Sequence, residues 1–183
     1  MEQLLNAGQS KVKIGRRRFL SYAVAGTGGA VLLSSSVLQD GLAAGTTDAL
    51  LLTCVDYRFV EMTAAYMAKR NLTNKYDIVV LAGASLGAVT DKYPEWSKTF
   101  WDHLGLAIKL HQIKRVLVMD HRDCGAYKII FGEGCCNTRA KETEAHATQL
   151  KNLSSQIGQK YPDLAGKVEL LLIDLNGKVE TIR

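Results

Sequence analysis

The sequence predicts an α/β fold, a mostly parallel central sheet flanked by helices and finished by a C-terminal β-hairpin. Three observations carry this. Residues 49–55, 77–82 and 115–120 are short runs of Leu, Val and Ile with little polar alternation, the pattern of strands buried on both faces of a parallel sheet. Segments of helical length separate and follow them, so the chain reads as repeated βα units. Near the end, Asn176-Gly177 divides two further strand-like runs, the signature of a hairpin with a tight turn.

In chain order, the first expectation concerns residues 1–44. Arg16-Arg17-Arg18-Phe19-Leu20 precedes an apolar, Gly- and Ser-rich stretch that ends in Gly41-Leu42-Ala43-Ala44. A basic start, a weakly apolar middle and a small-residue end are the layout of an export signal. Arg-Arg-x-Phe-Leu resembles the twin-arginine signal of proteins that cross a membrane already folded. The expectation is a periplasmic protein, processed near Ala43 or Ala44, or membrane-anchored if the signal is retained. The domain proper is then 45–183. Lys11, Lys13, Arg16, Arg17 and Arg18 against Glu2 and Asp40 give the first 44 residues +3 of the chain's total +5. The body is close to neutral, which argues against a nucleic-acid partner.

Within the body, 49–55 is strand, 60–72 helix and 77–82 strand. Residues 93–113 form a longer helix, on which Trp96, Phe100, Trp101, Leu104 and Ile108 recur at spacings of three and four, a core-facing stripe. Residues 115–120 are strand, and 138–159 a more polar helix ended by Gly158 and Tyr161-Pro162. Residues 168–175 and 178–182 form the hairpin. With 47% hydrophobic and 22% charged residues, disordered and collagen-like classes are excluded. Four cysteines in 183 residues are too sparse for a disulfide scaffold and point to metal or catalysis.

The chemistry collects at two strand ends. The first strand leads into Cys54-Val55-Asp56-Tyr57-Arg58, the third into His121-Arg122-Asp123-Cys124-Gly125-Ala126. Ligand sites of parallel sheets lie at the carboxyl ends of the strands, so the two segments meet if these strands are neighbours. Cys54, His121 and Cys124 then offer two thiolates and an imidazole, a zinc donor set with one position open, as in catalytic sites. Each piece alone has a plainer reading. A His-x-x-Cys pair arises by chance, a strand-end Cys is commonly a small buried hydrophobe, and Asp56 with Arg58 makes an ordinary loop ion pair. Their conjunction gives them weight.

At these residues the sequence resembles the β-class carbonic anhydrases, through Cys54-x-Asp56-x-Arg58 and His121-x-x-Cys124-Gly125-Ala126. The resemblance runs from about Leu51 to the hairpin. It implies a Zn2+ cofactor held by Cys54, His121 and Cys124, and a catalytic pair, Asp56 and Arg58, in which the arginine holds the aspartate off the metal. It also implies a carbonate dehydratase, hydrating carbon dioxide reversibly to bicarbonate and a proton by a zinc-bound hydroxide, in a homo-oligomer of two or more chains. The sequence departs from the family pattern at Ala82-Gly83-Ala84-Ser85, where relatives usually carry an Arg-Asn pair. It also lacks their glutamine ahead of the first strand and places Arg122 and Asp123 between the metal-ligand His and Cys. These changes touch the pocket, so two alternatives stand: a hydrolase of carbonyl sulfide or carbon disulfide on the same zinc, and a non-catalytic zinc-binding relative.

Weaker features fall to plainer readings. Gly83-Ala84-Ser85-Leu86-Gly87 matches no phosphate-loop pattern. Cys135-Cys136 reads as a surface or half-buried pair. His103, His111 and His146 read as structural or solvated, with a proton-shuttle role for His103 or His111 open only beside the pocket.

Overall fold

The computed structural model describes residues 45–183, and the export signal assigned to 1–44 lies outside them. The elements run β1 (Ala49–Thr53), α1 (Val60–Lys69), β2 (Tyr76–Val80), α2 (Ser85–Val89), α3 (Pro94–His111), β3 (Arg115–His121), α4 (Gly125–Phe131), α5 (Arg139–Lys160), β4 (Val168–Ile173) and β5 (Val179–Thr181), with 3-10 turns at Tyr57–Phe59, Glu133–Cys136 and Pro162–Leu164. Spatial strand order is β2-β1-β3-β4-β5. The first four strands are parallel and β5 is antiparallel to β4, the sheet that the sequence predicts.

Every residue of β1 is buried, and all but the first of β3, which is why those runs show no polar alternation. Their side chains serve two cores. Leu50, Leu52, Val116 and Val118 face Phe100 and Leu104 of α3 and Leu150, Leu153 and Ile157 of α5. Ala49, Leu51, Leu117 and Met119 face Phe59 and Met67. Thus α1 covers one face, while α3 and α5 cover the other. Because β2 and β3 lie on opposite sides of β1, the winding reverses there, and the carboxyl ends of β1 and β3 flank a topological switch point, where open α/β sheets bind ligands.

Several expectations are corrected in detail. Helix α1 ends at Lys69 rather than residue 72; Asn71 turns left-handed at φ 59 and Leu72 folds back into the core. On α3 the fully buried stripe is Phe100, Leu104 and Ala107, with Trp96, Trp101 and Ile108 along its margin. The hairpin does not turn on two residues. Asp174 and Lys178 close a three-residue loop in which only Gly177 is left-handed (φ 81), and Asn176 uses its side-chain oxygen to accept the Lys178 N–H. A two-residue type I′ turn needs positive φ at both Asn and Gly, and Asn176 does not supply it. No helix among the described residues is long and apolar enough to cross a membrane.

Candidate metal centre

Strands β1 and β3 pair in register, Thr53 beside Met119, which carries Cys54 and His121 to one place. The ligand-type atoms of Cys54, His121 and Cys124 all lie within 4.8 Å of one another, and all three residues are buried. Of the described residues, no other such cluster of metal-ligating types occurs. His121 ends β3, its Nδ1 2.8 Å from the Arg122 carbonyl. A carbonyl only accepts, so Nδ1 carries the proton and Nε2 keeps its lone pair. Phe59 stacks on the ring at 4.3 Å between centroids and fixes its plane. Nε2 is buried without a hydrogen-bond partner. Such an atom costs free energy unless something fills the role of partner.

The sulfurs are supplied with donors. The Gly83 N–H points at Cys54 Sγ from 3.2 Å. Cys124 stands at the N-cap position of α4, where the nearby Ala126 and Tyr127 N–H groups favour its thiolate. The two thiols also perturb each other in opposite directions. The hydrogen bond from Cys124 lowers the Cys54 pKa against the opposing effect of burial, while the same bond and burial raise that of Cys124. Burial disfavours charge on His121, but the neighbouring Cys54 outweighs it and the imidazole pKa rises. Three buried donor atoms within 4.8 Å of one another, one of them an imidazole nitrogen without a partner, suit a cation held between them. Cys2His is a recognised catalytic zinc set, leaving a fourth position open.

Asp56 and Arg58 stand at the edge of this cluster. Asp56 caps the turn Tyr57–Phe59, accepting the Arg58 N–H at 3.0 Å. The Arg58 guanidinium then returns to the same carboxylate, Nε 3.0 Å from Oδ1 and Nη2 2.7 Å from Oδ2. Those bonds hold the Asp56 carboxyl down at about 2, with burial opposing them. Its Oδ2 lies 3.8 Å from His121 Nε2. All five residues singled out in the sequence therefore converge at one strand-end site. Above it opens a cavity of about 430 Å³, lined chiefly by Val55, Tyr93, Trp96, Ala126, Ile129 and Ile130. Trp96, expected only in the core, forms part of that wall.

A family profile described as "Putative carbonic anhydrase" matches residues 44–183. The chain belongs to this carbonic anhydrase family. An uncharacterized protein of Rickettsia conorii is 44% identical over 133 residues, covering 73% of this chain and 70% of that protein. Among solved structures, a β-carbonic anhydrase of Aspergillus fumigatus matches with a TM-score of 0.49 at 15% identity, over 80% of each chain. A carbon disulfide hydrolase matches with a TM-score of 0.48 at 13% identity, over 81% of this chain and 84% of that one.

Around the site of this carbonic anhydrase relative the structure adds a buried polar cluster centred on Asp120. Asp120, immediately before His121, is fully enclosed; its carboxylate accepts the Ser85 N–H at 2.9 Å, and the Ser85 and Tyr127 hydroxyls at 2.6 Å each. His146 Nδ1 lies 2.8 Å from the same carboxylate, so this histidine is core rather than solvated. This cluster fixes Ser85 and with it the preceding turn, where Gly83 is left-handed and Ala84 adopts φ 43, ψ −101, a conformation L-residues rarely take. An acidic residue inside an apolar strand run was the available signal. His111 pairs with Asp77 at the start of β2, on the opposite end of the sheet, and His103 is exposed. Cys135 and Cys136 are half-buried on a turn after α4.

Proposed function

We propose that this chain is a zinc-dependent carbonic anhydrase, interconverting carbon dioxide with bicarbonate and a proton. One observation carries the reading: an unpartnered, buried imidazole nitrogen converges with two cysteine sulfurs beside an arginine-held carboxylate. Cys54, His121 and Cys124 would hold the zinc, which would supply a Lewis acid to acidify a water. The chain's own residues orient the reaction. Asp56, ionised at any working pH, accepts a hydrogen bond from the nucleophilic water and turns its lone pair toward the cavity. Arg58 fixes that carboxylate. The apolar wall of Val55, Trp96, Ile129 and Ile130 suits a small uncharged substrate. Stopped-flow hydration of carbon dioxide by the zinc-loaded protein is the test. Asp56→Ala should keep the metal and lose most turnover; a near-native kcat would reduce Asp56 to a loop ion pair.

A second reading, hydrolysis of carbonyl sulfide or carbon disulfide on the same site, is favoured by the cavity lining, which contains no amide or guanidinium side chain. Sulfide release measured alongside hydration separates the two. Failure of both assays on metal-loaded protein leaves a non-catalytic zinc protein.

The same reading extends to assembly and location. Val55, Tyr57 and Val60 beside the site, and Ile78 and Val80 on the edge strand β2, are exposed. Such apolar surface supports a homo-oligomer, tested by sedimentation. Residues 1–44 are read as a twin-arginine signal delivering an already folded domain, 45–183, to the periplasm. The chemistry supports that route, since folding first shields Cys54 and Cys124 from oxidation. Fractionation of cells carrying Arg16→Lys with Arg17→Lys is the test, and undiminished periplasmic protein would overturn it.

A further inference from the structure

We infer that Asp123 is a positioning residue: it ties Arg58 to the loop that carries Cys124, and through Arg58 keeps the Asp56 carboxylate out of the metal's open position. The inference rests on the zinc reading above. Asp123 lies between His121 and Cys124 in the chain and is left-handed, φ 57, a conformation uncommon outside glycine. In that conformation its Oδ2 takes Arg58 Nη1 at 2.9 Å, its carbonyl takes Arg58 Nη2 at 3.1 Å, and its Oδ1 takes Lys128 Nζ at 2.7 Å. The guanidinium therefore spans two carboxylates, with Nε and Nη2 on Asp56 and Nη1 on Asp123.

The difference matters because Asp56 and Arg58 belong to one short turn. Bonded only to each other, they would be free to move together, and the Arg58 side chain, 32% exposed, has solvent to move into. Asp123 joins that turn, at the end of β1, to the loop at the end of β3. The loop is itself held from outside the metal site: Glu142 of α5 accepts the Asp123 N–H, and buried Arg122 reaches Glu142, Thr143 and Glu180. The need for such a clamp is visible in one distance. Asp56 Oδ2 is already 3.8 Å from His121 Nε2, so a small side-chain rotation brings it to any metal on that nitrogen. A planar guanidinium held by charge-assisted bonds on both sides resists that rotation.

Two substitutions test this on the purified full chain loaded with Co2+ in place of zinc. Asp123→Gly removes the carboxylate and accepts the left-handed backbone. Asp123→Asn keeps the shape, tolerates the same conformation and removes the charge. In Asp123→Gly, the visible absorption and metal-edge X-ray absorption should shift to a metal with an added carboxylate oxygen. Carbon dioxide hydration should fall about tenfold, the scale of one lost charge-assisted hydrogen bond. Asp123→Asn should fall between it and the parent, and alone decides the matter if Asp123→Gly fails to fold. Adding Asp56→Asn should abolish the spectral shift, because the carboxylate that moves is gone. A merely structural effect would persist there, and that persistence, or parent-like spectra in the folded single variants, overturns the inference. A parent chain that holds no metal overturns the zinc reading itself, a distinct result seen before any variant is made.

Discussion

Replacing Gly83 with alanine should damage stability and metal binding together, and the structure gives the size of each. Gly83 sits at φ 75, where an L-residue costs about 1–2 kcal/mol. The added Cβ would stand 3.2 Å from the Ala126 Cβ and 3.3 Å from the Leu86 Cβ. Both are carbons fixed directly to backbone, so relief requires moving α2 or α4, at about 1 kcal/mol. The stiffer unfolded chain returns about 0.4–1 kcal/mol. The net loss is about 1–2.5 kcal/mol, read as a lowered urea midpoint at unchanged slope. The same displacement draws the Gly83 N–H away from Cys54 Sγ, now 3.2 Å distant. Zinc affinity measured by chelator competition should therefore fall about tenfold or more. A Gly83→Ala protein within about 0.5 kcal/mol of the parent, with unchanged zinc affinity, would refute the argument that this glycine serves both backbone and sulfur.

Cys124→Ser should lose most bound zinc while the domain stays folded, and metal analysis with undiminished zinc would sink the ligand assignment. His146→Ala strips an enclosed carboxylate of its imidazole and opens a cavity beside Tyr127. It should cost about 3 kcal/mol or more by urea unfolding; a loss under about 1 kcal/mol would mean that Asp120 does not depend on it. Acid should weaken the docking of the hairpin. Glu180 is lowered from 4.5 because Arg122 and Arg139 overcome its burial, and Asp174 is lowered from 3.8 chiefly by Arg139. Depressed carboxylates stabilise fully above their unfolded values and lose that contribution as pH falls through the folded ones. Stability should therefore drop below about pH 4.5, and Glu180→Gln should flatten the drop; an unchanged pH slope would remove Glu180 from the account.

How much was legible in the sequence depended on how far apart the cooperating residues lie. Strands β1 and β3 were legible because burial on both faces leaves unbroken apolar runs, and the Cys, His, Asp and Arg of the site follow those runs within a few residues. Helices α2 and α4 were not, since five and seven residues hold too little of a helical period to register. Which of its two readings, structural or solvated, held for His146 was not legible, because it lies on the most polar helix and its partner, Asp120, is 26 positions away. Trp96 fitted a core stripe equally well as a cavity wall, because a marginal position on α3 serves both. Asp123 stood in plain view as a departure between two proposed metal ligands. Its purpose depends on a left-handed backbone that no spacing rule announces.

The tethering of the 121–124 loop has a consequence for how the proposed zinc would be acquired. The loop is fastened by Glu142 from α5, by Glu180 and Asp174 across the terminal hairpin, and by Ser85 through Asp120. None of these fastenings passes through the donor sulfurs. Small metallo-domains whose scaffold is the ion itself collapse when it is stripped; here the cradle stands on protein contacts alone. On the zinc reading, uptake would resemble a guest entering a finished socket through the apolar mouth. Ion identity would then be a matter of supply and donor preference, and a chain first filled with the wrong divalent ion should be exchangeable rather than misfolded.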